Sequence, residues 1–330
     1  MSAFRNFIMT FLMSVVIFGL CAFGLIKLSK NVINSDTPVD TADPDDTGDF
    51  TADTQEYNPV DLSSIKGESF TALIVGTDYQ PSLFDDYTVS GNDEHGFPKQ
   101  PRRVETDALI LIHVDKETGD CIFCSVPAKT RISIDGLYTT LENLYAAKGV
   151  SALCSKVAAL TGLPIDYYAV ITGDDFIKLI DDLGGITYYV STNMQYVNAE
   201  KGLNINLKKG SQKLNGKKCL DMLRFPDYSD GDTSRRKVGV SLAKQLCKNY
   251  LTQKNMNGAA GLYTKYSGYF ETNFKSSDLE DNLELIFAYS RMNVLEYNYP
   301  GSTVGSGDDA YFNANVTKAT EYFSKYKYQG

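Results

Sequence analysis

Histidine is nearly absent from this 330-residue chain, where His95 and His113 are the whole complement. Two histidines argue against a His-rich zinc centre and against a Ser-His-Asp hydrolase. A basic excess is missing too. Lys+Arg number 32 against 41 Asp+Glu, for a net charge of −9. The footprint of a duplex-binding protein is therefore lacking, and no nucleic-acid partner is expected. The six cysteines (Cys21, Cys121, Cys124, Cys154, Cys219, Cys247) show no dense disulfide spacing. Cys121 and Cys124 form a C-x-x-C, but no second one completes a zinc site. They sit in a strand pattern, where positions three apart face opposite sides, so the body cysteines read as buried, reduced thiols. No internal repeat is present. Hydrophobic residues at 43% and charged residues at 22% exclude collagen and wholesale disorder.

Residues 7–26 contain no charged side chain. Twenty residues at about 1.5 Å each span about 30 Å, the hydrocarbon thickness of a bilayer. They read as a retained transmembrane helix after a short tail at 1–6. Arg5 on one side and Lys27 and Lys30 on the other leave the charge bias nearly level. Bases are missing from residues 34–61, which hold nine acids. With few large apolar residues, 27–64 reads as an acidic, disordered linker extended by like-charge repulsion. Outside the nine acids, 32 acids face 32 bases; three of those bases (Arg5, Lys27, Lys30) flank the apolar run, so the body at 65–330, with 32 acids and 29 bases, is close to balanced.

The body alternates strand and helix patterns. Continuous apolar runs at 70–75 and 108–114 suit strands covered on both faces. A turn containing Gly119 leads to a third strand at 121–126. Helical spacing at 151–160, a strand at 167–171, a helix from Asp174 to the stop at Gly184-Gly185 and a strand at 186–190 follow. Further helices are expected at 215–223, 235–251 and 277–289. Such alternation predicts an α/β sandwich around a central sheet.

Asp78 follows the first strand and Asp107 precedes the second. If these strands are adjacent and antiparallel, the two carboxylates meet and could share a hard cation such as Mg2+; two ordinary strand-end acids fit the same pattern. Arginine is the minority base, yet six of the seven body arginines form two groups. These are Arg102, Arg103 and Arg131, then Arg224, Arg235 and Arg236. Guanidinium groups grip phosphate bidentately. Asp232, Arg235 and Arg236 at a helix start suit a metal-phosphate site, or a solvated charge cluster.

The chain resembles the LytR-CpsA-Psr family of bacterial envelope proteins from about Ile65 onward. The resemblance rests on Leu73-Ile74-Val75-Gly76-Thr77-Asp78, Thr106-Asp107-Ala108-Leu109, Ser125-Val126-Pro127, Glu142-Asn143, Ile165-Asp166-Tyr167-Tyr168, Leu214-Asn215-Gly216 and Leu223-Arg224-Phe225. It implies a three-layer α/β/α sandwich with a mixed central sheet and an apolar lipid-binding cavity. It also implies a single-pass protein of the cell membrane with its body outside. The implied activity is Mg2+-assisted transfer of a polyprenyl-pyrophosphate-linked glycan onto a peptidoglycan hydroxyl. Asp78 and Asp107 would hold the metal. Arg224, Asp232, Arg235, Arg103 and Arg131 would do the catalytic work.

Several family positions are altered. Gln80, Glu105 and Pro226 stand where arginines are usual, and Ala128-Lys129 replaces an Arg-Asp pair. The usual Arg-Gln pair after Asp232 and Arg235 falls on Val238-Gly239. The alternative is a catalytically weakened relative that binds polyprenyl phosphate or glycan as a scaffold or regulator.

Overall fold

The computed structural model describes residues 60–77, 106–199 and 202–326. The expected membrane span, most of the linker, and Asp78, Gln80, Arg102, Arg103 and Glu105 lie outside them. Among the described residues, no helix is long and apolar enough to cross a membrane.

The chain runs through β1 (Phe70–Thr77), β2 (Thr106–Asp115), β3 (Asp120–Ser125) and a hairpin of β4 (Arg131–Ile134) and β5 (Leu137–Thr140). Next come α1 (Leu141–Thr161), β6 (Tyr167–Thr172), α2 (Gly173–Asp182), β7 (Ile186–Val190), β8 (Met194–Asn198), β9 (Leu203–Leu207) and β10 (Gly210–Leu214). Helices α3 (Gly216–Leu223), α4 (Asp232–Tyr250), α5 (Gln253–Met256) and α6 (Ala259–Tyr266) follow. The chain ends through β11 (Glu271–Thr272), α7 (Ser276–Phe287), β12 (Asn293–Asn298), β13 (Gly301–Val304), β14 (Tyr311–Ala314) and α8 (Val316–Phe323).

The central sheet has the order β11-β6-β1-β2-β3-β12. β1 pairs antiparallel with β2 and parallel with β6, and β3 pairs antiparallel with β2 and parallel with β12. The sheet is therefore mixed. The carboxyl ends of β6, β1, β3 and β12 share one edge with the start of β2. Ligands of α/β sheets collect at such carboxyl edges.

Side-chain alternation along the strands builds two cores. Leu73, Val75, Leu109, Leu111, Ile122 and Cys124 pack on one face against α1 and α8. Ile110, Val114, Cys121 and Phe123 pack on the other, against Val240 of α4 and Leu285 of α7. The two cysteines thus lie on opposite faces, as their spacing predicts. Burial on both faces explains why β2 and β3 read as unbroken apolar runs. A third cluster joins α2, α3 and the small sheet of β7 and β10, around Ile180, Ile186, Val190 and Leu214. Leu62 is fully buried in the second core, so the packed body reaches back before residue 65.

Two local features differ from expectation. Helix α1 begins ten residues earlier than its spacing suggests, because Gly149 interrupts it at φ 79°, ψ 177° and breaks the apolar period. Asp135 and Gly136 turn the β4–β5 hairpin with φ 53° and 83°. That is the left-handed pair a two-residue hairpin favours.

Candidate functional site

Asp107 owes its position to a β-bulge. Gly76 pairs with Ala108 and Thr77 with Thr106, so Asp107 has no opposite residue on β1. Bulges re-aim a side chain, and this one leaves Asp107 exposed at the carboxyl edge of the sheet. Adjacent antiparallel strands were the condition for bringing Asp78 and Asp107 to one edge, and β1 and β2 meet it. The buried Thr106 hydroxyl beside Asp107 has no hydrogen-bond partner among the described residues.

The first turn of α4 reaches the same edge. Asp232 accepts from Arg235 Nη2 at 2.6 Å and from Arg236 Nε at 2.8 Å. These i,i+3 and i,i+4 spacings put all three groups on one helical face. Arg236 Nη1 also donates to the carbonyl of Ser125, the last residue of β3, at 3.4 Å. Burial alone would raise the Asp232 pKa, but hydrogen bonds and charge from the two arginines outweigh it and hold the carboxyl below its usual value. Burial opposes the Arg235 charge, yet Asp232, Asp107 and Glu142 together raise its pKa. Arg235 is thus the cation that three carboxylates share.

Glu142 arrives through α1. The loop after β3 docks the helix start, with Leu141 N–H donating to the Thr130 carbonyl at 3.1 Å and Glu142 N–H to the Ala128 carbonyl at 2.8 Å. Sequence reasoning gave Glu142 no electrostatic role, since its nearness to Arg235 depends on this docking. The Asp232, Arg235 and Arg236 cluster, by contrast, is legible from i,i+3 and i,i+4 spacing at a helix start.

Arg224 caps the carboxyl end of α3, its N–H donating to the Leu220 carbonyl at 3.0 Å. The following loop is anchored by buried Phe225 and Tyr228, and the Tyr228 hydroxyl donates to the Met222 carbonyl at 2.8 Å. Arg235 acts electrostatically on Tyr228, so this loop and the α4 start are neighbours. Arg131 lies on β4, its guanidinium carbon 3.9 Å from the Tyr138 ring centre and 4.8 Å from that of Tyr311. Asp78 and Arg103 lie outside the described residues.

One strand over, a cavity of about 400 Å3 opens at the carboxyl ends of β1 and β6. Its volume falls within the range of small-molecule sites, roughly 300–1,000 Å3. Thr77, Thr172, Val170, Phe270, Tyr145 and Glu271 line it. The Tyr145 hydroxyl donates to Glu271 at 2.8 Å. Burial first, and Glu271 second, push the Tyr145 phenol up to about 12. The wall is more polar than that of an all-apolar lipid tunnel.

Residues 35–327 match the LytR_cpsA_psr family. The chain belongs to that family. Among curated relatives, regulatory protein MsrR of Staphylococcus aureus is 28% identical over 181 residues, 53% of each chain. The Bacillus subtilis polyisoprenyl-teichoic acid–peptidoglycan teichoic acid transferase TagV is 23% identical over 263 residues, 78% of this chain and 61% of its own. The chain spans between 39% and 61% of the length of the curated relatives it matches. The TagV crystal structure superposes with a TM-score of 0.61 at 21% identity, over 79% of this chain and 98% of TagV. TagT bound to LIIa-WTA gives 0.58 at 18% identity, over 78% of this chain and 89% of TagT. The mixed α/β sheet is therefore the fold of this family.

Proposed function

We propose that this protein is a membrane-anchored glycopolymer transferase of the cell envelope. It moves a glycan from a polyprenyl-pyrophosphate carrier to a peptidoglycan hydroxyl. One observation carries the reading: Arg235 and Arg236 are held by Asp232 at the carboxyl edge of the sheet, near the bulged Asp107, on the same edge that carries a ligand-sized cavity. The teichoic acid transferase TagV and the TagT structure with LIIa-WTA support the substrate class. The uncharged stretch at 7–26 supports a single span, and the family supports a body outside the cell.

In this reaction the acceptor hydroxyl oxygen bonds to the glycan-side phosphorus. The bond from that phosphorus to the bridging oxygen breaks, polyprenyl phosphate leaves with the bond's electron pair, and the hydroxyl proton passes to the departing phosphate or to solvent. Arg235 and Arg224, with Arg103, stabilise the charge that develops on the phosphoryl oxygens. Asp232, held below the usual carboxylate range, is a weak base and acts by fixing Arg235 and Arg236. Arg131 stands between two tyrosines and contacts substrate away from the reacting phosphorus.

We assign Mg2+ to this edge, where the exposed Asp107 is the donor among the described residues. Among the described residues, no three carboxylate, histidine or cysteine side chains gather into a metal cage. Mg2+ rarely needs one, since it takes one or two carboxylates, waters and substrate phosphate oxygens. Asp107 on its bulge and Asp78 after β1 would supply the carboxylates. When bound, the ion neutralises pyrophosphate charge.

The test supplies lipid-linked glycan, wall acceptor and Mg2+ to the full chain and to Arg235→Ala and Asp107→Ala variants. Product should fall roughly 10²- to 10³-fold in the arginine variant, as for loss of one transition-state donor. Equal product from all three proteins overturns the reading. The scaffold alternative draws on the altered positions at Pro226 and Ala128-Lys129, and predicts carrier binding without product.

A further inference from the structure

We propose that Arg131, Tyr138 and Tyr311 form a docking platform for an acidic glycan, the acceptor strand of the transfer reaction. The inference rests on the transferase reading above. It begins with Arg131, whose guanidinium is packed between two tyrosine rings.

Arg131 opens β4 and pairs with Thr140, while Tyr138 of β5 pairs with Ser133. Alternation puts Arg131, Ser133, Tyr138 and Thr140 on one face of the hairpin, with Ile132 and Thr139 buried on the other. The Arg131 guanidinium lies diagonally across from Tyr138, its carbon 3.9 Å from the ring centre. Tyr311 of β14 closes the other side at 4.8 Å. A bridge between Thr130 and Phe312 and a hydrogen bond of 2.8 Å from Phe312 N–H to the Lys129 carbonyl hold β14 there.

Arg131 has neither a hydrogen-bond acceptor nor an ion-pair partner among the described residues. The nearby acid, Asp135, pairs instead with Lys148 at 3.6 Å. The Tyr138 and Tyr311 hydroxyls likewise have no hydrogen-bond partner there. Tyr138 is 55% exposed, and Lys129, two residues before Arg131, is exposed as well. The platform therefore offers an uncompensated fork of N–H donors, two aromatic surfaces and two hydroxyls. A sugar ring sets its C–H face on an aromatic ring, and its hydroxyls reach phenol oxygens. A carboxylate carried by the strand, on a stem peptide or an unsubstituted lactyl group, takes the guanidinium edge bidentately, a geometry lysine cannot reproduce.

The platform is rigid and adjoins the reaction centre. A two-residue left-handed turn closes the hairpin, and Lys156 Nζ holds the Ser133 carbonyl at 3.1 Å. Two residues beyond Thr140 stands Glu142, whose charge acts on Arg235. A strand laid on the platform thus lies near the element that carries Glu142, beside the arginines that would hold the phosphorus its hydroxyl attacks.

The test titrates the full chain in detergent with soluble uncrosslinked peptidoglycan strands and with a neutral chito-oligosaccharide of equal length. Arg131→Lys should weaken strand binding roughly 10- to 100-fold, the worth of hydrogen bonds to a charged group, and leave chito-oligosaccharide binding unchanged. Tyr138→Ala should weaken both ligands. Thermal melting checks folding, and if Tyr138→Ala fails to fold, Arg131→Lys decides alone. Strand binding by Arg131→Lys equal to that of the unaltered chain overturns the proposal. So does a loss confined to anionic lipid vesicles, which would make the platform a membrane contact. Transfer assays separate the two readings. Arg131-dependent strand binding without any transfer keeps the platform and removes the transferase. Transfer with an unchanged acceptor KM in Arg131→Lys keeps the transferase and removes the platform.

Discussion

Arg236 joins two elements by one guanidinium, donating from Nε to Asp232 at 2.8 Å and from Nη1 to the Ser125 carbonyl at 3.4 Å. The start of α4 is thereby tied to the end of β3, across a sequence distance of more than 100 residues. Asp232 is what keeps that guanidinium aimed. The site's geometry depends on a carboxylate that need not touch the reacting atoms.

Replacing Asp232 with Asn should therefore change the pH dependence of stability. The carboxyl has a folded pKa below its ordinary value of 3.8, because the two arginines outweigh its burial. The folded state then binds the Asp232 proton less readily than the unfolded state. Its stabilisation is fully present above pH 3.8 and is lost as pH falls through the lower folded value. Melting temperatures of the two proteins should differ near neutrality and converge below pH 3.8. A gap that persists unchanged to the lowest pH would show that Asp232 stabilises the body by something other than its charge.

Gly216 explains how α2 and α3 come close. A β-carbon there would collide with the backbone of Ile177, and the Gly216 N–H donates to Asp181 at 2.8 Å. Gly216→Ala should cost about 1–3 kcal/mol, as overpacking in a tight contact does. For a body of this size each kcal/mol lowers the melting temperature by about 2–4 °C. Gly261 on α6 faces open space and serves as the control. Gly261→Ala should leave stability unchanged or raise it by about 0.4–1 kcal/mol. Equal loss in both variants would refute the close-approach account.

The sheet was more legible in the sequence than the site. β1, β2 and β3 appear as apolar runs because both faces are covered, and the Gly119 turn marks their pairing. The β4–β5 hairpin is faint in the sequence although Asp135-Gly136 is a strong turn signal, since only Ile132 and Thr139 are fully buried on it. Asp107 stood out as a strand-end acid, but the bulge that exposes it depends on pairing register. The meeting of Arg235 with Glu142, 93 positions away in the chain, depends on how the loop after β3 docks α1. No periodicity records that contact. Arg131 is similar: its packing against Tyr138 of its own hairpin and Tyr311, 180 positions away, is set by how β14 docks on β4 and has no signature in the sequence.

Leu62 fixes where the packed body starts. Its side chain is fully buried in the core with Ile65, Phe123 and Leu285, although an acidic tether was expected through residue 64. Leu62→Ala should lower unfolding free energy by about 2–5 kcal/mol, the usual loss for a buried leucine. Denaturant titration with an unchanged slope would read it directly. A loss below 0.5 kcal/mol, about what a surface change produces, would return the segment to the tether.

The body thiols should be inert until the protein unfolds. Burial pushes Cys124, Cys219 and Cys247 up to about 12 and Cys154 to about 11, and raises Cys121 well above its ordinary value. At pH 8 the thiolate fraction, which is the reactive form, is then very small. Cys121 and Cys124 also lie on opposite faces of β3, beyond the β-carbon spacing of about 3.5–4.5 Å that a disulfide requires. A thiol-reactive chromophore at pH 8 should find these five thiols silent in the native protein and reactive in guanidinium. Mild oxidation should form no bond between Cys121 and Cys124. Rapid native labelling of either one would mean that β3 opens readily, and that the edge carrying the Ser125 carbonyl is less firmly held than its contacts indicate.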